Sequence, residues 1–360
     1  MTPAAYAVLN TEAVAHNVAV ARRHAPTAKL MAVIKANGYG HGLLRIADAL
    51  AGVDAFAVAR GDEGIRLRNA GFTQPITVLE GFRNGEDLDA FLQQRLDTVV
   101  HSFQQLEILE TRVETEQLGV WLKIDTGMNR LGFRPADVAG VYQRLRQCRI
   151  IAGPIRFMTH LANADDKADP KTPEQIALFN ATLEGYAGER SIANSAGVLG
   201  WQEALADWVR PGVMLYGISP FPELTRRELG LQPVMGLYSQ LIAVKPVRQG
   251  ETVGYSGTWR CPEATLLGVV AVGYGDGYPR YAKTGTPVLV NGRRVPLIGR
   301  VSMDMITVDL ASQPDAKPGD PVALWNEALP VEEIAHCADT IPYTLVCGIT
   351  QRVQIIEREN

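Results

Sequence analysis

The sequence predicts an α/β protein with two parts, a (β/α)8 barrel over residues 1–232 and a mostly-β domain over residues 233–360. Three observations carry this. Short β-rich runs alternate with helical stretches at intervals of about 20 to 35 residues, the rhythm of βα units. The runs number eight, which closes naturally into a barrel. Beyond about residue 232 helical periodicity fades and Val, Gly and Pro dominate.

In chain order the predicted barrel strands are KLMAVIK, AFAVA, PITVLEG, DTVVHS, GVWLKID, PIRFMTH, RSIANS and GVMLYG, starting at Lys29, Ala55, Pro75, Asp97, Gly119, Pro154, Arg190 and Gly212. Most are followed by helical patterns such as GLLRIADALAG and TPEQIALFNATLEGY. Barrel active sites sit at the C-terminal ends of the strands, and Lys35 stands at the first such end. In the second part, Asn291-Gly292 between PVLV and RRVPLI predicts a two-residue hairpin, because both residues tolerate positive φ.

A formal net charge of −4 gives no basic footprint for nucleic acid. No cationic leader precedes an apolar stretch, and no window approaches the ~18 apolar residues of a membrane span, so the expected location is the cytoplasm. Cys148, Cys261, Cys337 and Cys347 are scattered without CxxC spacing, which argues against a disulfide framework or a metal site and predicts plain buried thiols.

The stretch AVIKANGYGHG ends an apolar run in an amine and breaks into a glycine-rich loop. One reading of Lys35 is a lysine snorkelling from a strand end. The other is a desolvated amine of lowered pKa that attacks a carbonyl, with Gly38, Gly40 and Gly42 letting the backbone approach a bulky group and Tyr39 adding a hydroxyl. A phosphate-bearing aldehyde such as pyridoxal 5′-phosphate would also need a cradle on the same rim. Asn194 and Ser195 in IANSAGVLGW, and the Gly212 and Val213 amides behind Arg210 in VRPGVMLYG, offer one. Taken singly, Ser195 is as well read as a helix N-cap.

AVIKANGYGHG resembles the cofactor-lysine motif of alanine racemases. WLKIDTGMNRLGF, MTHLANAD, ANSAG, VRPGVMLYG, VGYSGTW, VGYGDGYPR, GRVSMDM and IPYTLVC resemble that family's other signature stretches in the same order, over essentially the whole chain. The resemblance implies a homodimeric isomerase of alanine that uses pyridoxal 5′-phosphate, built from a barrel and a β domain. It implies Lys35 as cofactor lysine and one base, and Tyr255, supplied by the partner subunit, as the other. Arg210 would face the pyridine nitrogen and His160 would bond to Arg210. Tyr39, Ser195, Gly212, Val213 and Tyr343 would contact the phosphate. Arg130 and the Met303 amide would take the substrate carboxylate, and Tyr274 would narrow the entrance.

Strand alternation puts Trp121, Lys123 and Asp125 on one face, interior if the barrel closes as expected. A buried lysine needs a partner, and the alternatives are a salt bridge to Asp125 or another acid or, as the resemblance implies, carbamylation of Lys123 to hold Arg130. Two departures from the family pattern, Ser302 and Asn129, touch none of these roles. Other readings stand beside the racemase: a cofactor-carrier protein, a same-fold amino-acid decarboxylase, or a broad-spectrum racemase. The β domain carrying Tyr255 argues against the first, the VGYSGTW pattern against the second, and the missing leader against the third.

Overall fold

A computed structural model describes residues 4–113 and 117–357. Two compact units emerge. One comprises Val14–Leu215 with Ser219–Leu231, and the other the residues through Ala13, Tyr216–Ile218 and the chain from Gln232. The N-terminal segment, expected with the barrel, therefore belongs to the β unit.

In the first unit eight parallel strands close into a barrel. They are Lys29–Val33, Ala55–Val58, Ile76–Val78, Asp97–Val100, Val120–Lys123, Arg156–Met158, Arg190–Ser191 and Trp208–Val209, the first pairing with the last at Lys29↔Trp208. Helices such as Leu43–Ala49 and Lys171–Thr182 cover the strands from outside, so the strands are buried on both faces and read as continuous apolar runs.

The eighth strand corrects the sequence reading. GVMLYG forms no strand, and Val213–Tyr216 is a 3₁₀ turn. The strand is instead Trp208–Val209, cut short by Pro211, which has no N–H for the ladder. Val213, Met214, Leu215 and Tyr216 are all buried. A short apolar run buried by packing looks the same in sequence as one buried by pairing.

In the β unit Tyr6–Leu9 lies between Met235–Val247, antiparallel to it, and Gln354–Glu357, parallel to it. Pro287–Val290 and Arg293–Pro296 form the predicted hairpin, with Asn291 at φ 49° and Gly292 at φ 76°. Two helices, Val331–Cys337 and Pro342–Cys347, interrupt the β texture. Cys148 and Cys261 are buried as expected, whereas Cys337 is half-buried and Cys347 exposed. Among the described residues no helix is long and apolar enough to cross a membrane.

Candidate active site

Lys35 opens a left-handed turn at the end of the first barrel strand. Ala36, Asn37, Gly38 and Tyr39 have φ of 53°, 55°, 61° and 50°, and Gly40 follows at 80°. For residues carrying a Cβ this conformation costs roughly 1–2 kcal/mol each, so the surroundings must hold it. They do so through Gly38 N–H to the Ile34 carbonyl (2.9 Å), Gly42 N–H to the Asn37 carbonyl (2.9 Å) and Leu43 N–H to Asn37 Oδ1 (3.1 Å). His41, fully buried, places Nδ1 2.7 Å from the Tyr39 carbonyl, and burial pulls its pKa down to about 4. The glycines serve chain direction: at Gly38 a Cβ would sit 3.2 Å from Ile46.

The turn places Tyr39 beside the end of the adjacent eighth strand. Its hydroxyl lies 2.6 Å from where a Cβ on Gly212 would be. Ser195 arrives there from a neighbouring strand end. Asn194 is the N-cap of helix Ser195–Gly200, accepting Gly197 N–H at 2.9 Å, which frees Ser195 from capping. Ser195 Oγ accepts the Gly212 N–H at 2.9 Å and the Met214 N–H at 3.3 Å. Tyr39, Ser195, Gly212 and Val213, named apart in the sequence, therefore meet.

Arg210, 4% exposed, sits beneath. Its guanidinium donates to Ser191 Oγ (2.6 Å), to the Thr159 carbonyl (2.6 Å) and to the Ile192 carbonyl (3.3 Å), and lies 3.4 Å from His160 Nδ1. All these partners are neutral, and burial lowers its pKa to about 10. His160 is held well below its ordinary value, first by desolvation and then by the charges of Arg210, Lys123, Arg130 and Lys35.

A narrow recess is lined by Lys123, Asp125, Met128, Arg130, Thr159 and His160, among others. Lys123 is 8% exposed, and burial together with Arg210, Arg130 and Lys35 brings its pKa down to about 7. The alternative salt bridge to Asp125 is not formed. Asp125 Oδ1 accepts the Gly127 and Asn129 amides at 3.0 Å, and Oδ2 lies 3.5 Å from Arg134. This shapes the loop carrying Arg130, with Asn129 at φ 56°, a conformation asparagine tolerates.

The remaining candidates lie in the β unit. Tyr255 occupies a 3₁₀ turn and is 66% exposed, next to Ser256 at φ 62°. Tyr274 N–H donates to the Ser302 carbonyl (3.0 Å) and Gly275 N–H to the Met303 carbonyl (2.8 Å), so these two loops run side by side. A Cβ on Gly254 would lie 3.5 Å from Arg300 N, which puts the Tyr255 turn beside the same loop. Met303 is 52% exposed, and its N–H donates to no acceptor among the described residues. Tyr343 is half-buried on the helix Pro342–Cys347.

Sequence reasoning missed two buried polar residues. Gln175, fully buried, donates to Thr126 Oγ1 (3.2 Å) and the His160 carbonyl (3.0 Å) and accepts Ala162 N–H (2.8 Å), tying two adjacent strand ends together. Within TPEQIALF nothing marks it. Glu63, 8% exposed, accepts backbone amides from its own helix start and from Asn37. Its signal is the acid in the first helical turn of RGDEGIR.

Comparison with known proteins gives a consistent answer. The family model for the alanine racemase N-terminal domain matches residues 9–220, and that for the C-terminal domain residues 234–357. Alanine racemase of Nitrosococcus oceani is 53% identical over 350 residues, spanning 96% of this chain and 97% of that protein. That of Aeromonas hydrophila is 51% identical over 350 residues, spanning 97% and 98%. The crystal structure of the biosynthetic alanine racemase from Pseudomonas aeruginosa superposes with a TM-score of 0.97 at 42% identity, covering 99% of this chain and 100% of that one. Alanine racemase from Bartonella henselae with covalently bound pyridoxal phosphate gives 0.90 at 28% identity, covering 99% of each. The chain belongs to the alanine racemase family, the isomerases that interconvert L- and D-alanine.

Proposed function

We propose that the chain racemises alanine with pyridoxal 5′-phosphate held on Lys35, using Lys35 and the partner subunit's Tyr255 as acid–base groups on opposite faces of the substrate. The observation that carries this reading is the cradle at Gly212. A Cβ added at Gly212 would collide with the Tyr39 hydroxyl, and the Gly212 N–H donates to the Ser195 hydroxyl, so two hydroxyls and a backbone amide gather at one strand end, groups of the kind that bind a phosphate. Tyr343 and the Val213 amide complete the assigned set. The residues present therefore fit the cofactor.

When bound, the cofactor withdraws electrons from the substrate α-carbon and so acidifies its hydrogen. The chain's own groups do the rest. Inversion requires a proton to leave one face and another to arrive on the opposite face, so two groups must flank the carbon. Lys35 Nζ moves the proton on one side and the Tyr255 hydroxyl on the other. Arg210 would face the ring nitrogen, and with its pKa lowered by burial only to about 10 it keeps its proton near neutral pH and would give none to that nitrogen. That limits charge delocalisation and restrains transamination. Arg130 and the Met303 N–H hold the carboxylate, and Tyr274 narrows the entrance to suit a methyl side chain.

Lys123 near pH 7 is substantially a neutral amine among cations. Addition of carbon dioxide to that amine, with loss of one proton, forms a carbamate that accepts from Arg130. A homodimer in which these residues face a partner subunit fits the exposure of Tyr255, Tyr274 and Met303 on the β unit.

Lys35→Ala tests the reading. The variant should lose both the borohydride-sensitive absorbance of a lysine-linked aldehyde and racemisation. Tyr255→Phe should keep the absorbance yet exchange the α-hydrogen of one enantiomer with solvent much faster than the other. Near-normal turnover in Lys35→Ala, or equal exchange from both enantiomers in Tyr255→Phe, would sink the two-base assignment.

A further inference from the structure

The left-handed turn after Lys35 is braced from a neighbouring strand–helix unit by Glu63. This glutamate stands in the first turn of helix Gly61–Asn69, where a capping glutamate ordinarily serves its own helix start. Here Oε2 alone does that, accepting the Ala59 N–H at 2.9 Å and the Arg60 N–H at 3.3 Å. Oε1 is left to accept the Asn37 N–H at 3.4 Å. Asn37 is the hub of the turn, since its carbonyl and side-chain oxygen hold Gly42 and Leu43.

Resting on the assignment of Lys35 as cofactor lysine, we infer that Glu63 is a positioning residue. Its second oxygen keeps the strained Ala36–Tyr39 turn wound, and so aims Lys35 and the Tyr39 hydroxyl at one ligand. Two acceptor oxygens are what the position requires, because Oε2 already serves the Ala59 and Arg60 amides and Oε1 serves Asn37. Strain held in place by partners outside the segment is the expected signature of a pre-organised site. A helix cap alone would leave Oε1 without this purpose.

Glu63→Gln separates the two roles. Glutamine caps a helix start as glutamate does, so its one oxygen serves the Ala59 and Arg60 amides and its NH2 group faces the Asn37 N–H, donor against donor. The full-length apo variant should melt within a degree or two of wild type, while its dissociation constant for pyridoxal 5′-phosphate rises about tenfold. Adding Ala36→Gly, at an exposed position that glycine occupies without strain, should restore most of that affinity. Glu63→Ala should lose both stability and affinity. Unchanged affinity in Glu63→Gln would overturn the inference, as would a loss that tracks the melting temperature and resists Ala36→Gly. If wild type itself shows no covalent adduct with the cofactor, the Lys35 reading has failed, a result distinct from either.

Discussion

Arg210 Nη2 lies 3.4 Å from His160 Nδ1, and this contact fixes the state of the imidazole. Arginine can only donate, so Nδ1 accepts and the ring proton resides on Nε2. The folded pKa of His160 is depressed, chiefly by desolvation, so the unfolded chain takes up its proton first as pH falls. This group's contribution is whole above 6.5 and is lost progressively below it. Urea unfolding followed down to about pH 5 should show stability falling in wild type and a flatter profile in His160→Gln. Parallel profiles would contradict the neutral assignment.

Gly212 has no room for a side chain. A Cβ there would meet the Tyr39 hydroxyl at 2.6 Å. Gly212→Ala should therefore weaken cofactor binding by at least about tenfold, a loss of ~1.4 kcal/mol or more, with little change in far-ultraviolet circular dichroism. Adding Tyr39→Phe removes the colliding oxygen and should relieve the clash without returning the lost phosphate donor. Equilibrium titration of the resolved protein reads both effects.

Lys123 carries the opposite sign convention from an ion-paired lysine. Its folded pKa is near 7 against 10.5 in the unfolded chain, so folding expels a proton between those values and stability rises with pH across that window. In buffer free of carbon dioxide, wild type should gain stability relative to Lys123→Met as pH climbs from about 7 to about 10. With isotope-labelled bicarbonate, a carbamate resonance should appear in wild type and be missing from Lys123→Met.

Sharing of sites between subunits has a countable outcome. Co-expressed Lys35→Ala and Tyr255→Phe chains, each nearly inactive alone, would form heterodimers in which one site receives both lesions and the other neither. Purified heterodimer should recover about half of wild-type activity, and the random mixture about a quarter. Activity no higher than that of the single variants would place both residues in one chain's site.

Much of this was legible because the chemistry sits where chain direction changes. Lys35 and Ser195 stand at the ends of strands that the βα rhythm locates, and Asn291-Gly292 announces its own turn, whereas Arg210 follows the short strand Trp208–Val209 that the rhythm missed. The misread strand at Val213–Tyr216 fails for a physical reason: burial selects apolar residues whichever backbone shape delivers them. Gln175 was invisible, and Glu63 was legible only as a helix-start acid and not as a partner of Asn37, because a polar residue in a helix looks solvent-facing until the element it bonds to is known. The left-handed turn was equally hidden, since Ala36 and Tyr39 adopt it against their own preference and under outside constraint.

The placement of Tyr6–Leu9 between two strands from the far end of the chain bears on biosynthesis. The ribosome makes this strand before both of its neighbours, Met235–Val247 and then Gln354–Glu357. Throughout translation of the barrel, Ala7 and Leu9, both buried in the finished protein, have no sheet to enter. The nascent chain must shield a strand with two open edges until Met235–Val247 emerges, and with one until Gln354–Glu357 follows, the situation in which chaperones act and strands mispair between chains. A message truncated before Gln354 would yield a polypeptide able to close its barrel while leaving one edge of its oldest strand bare.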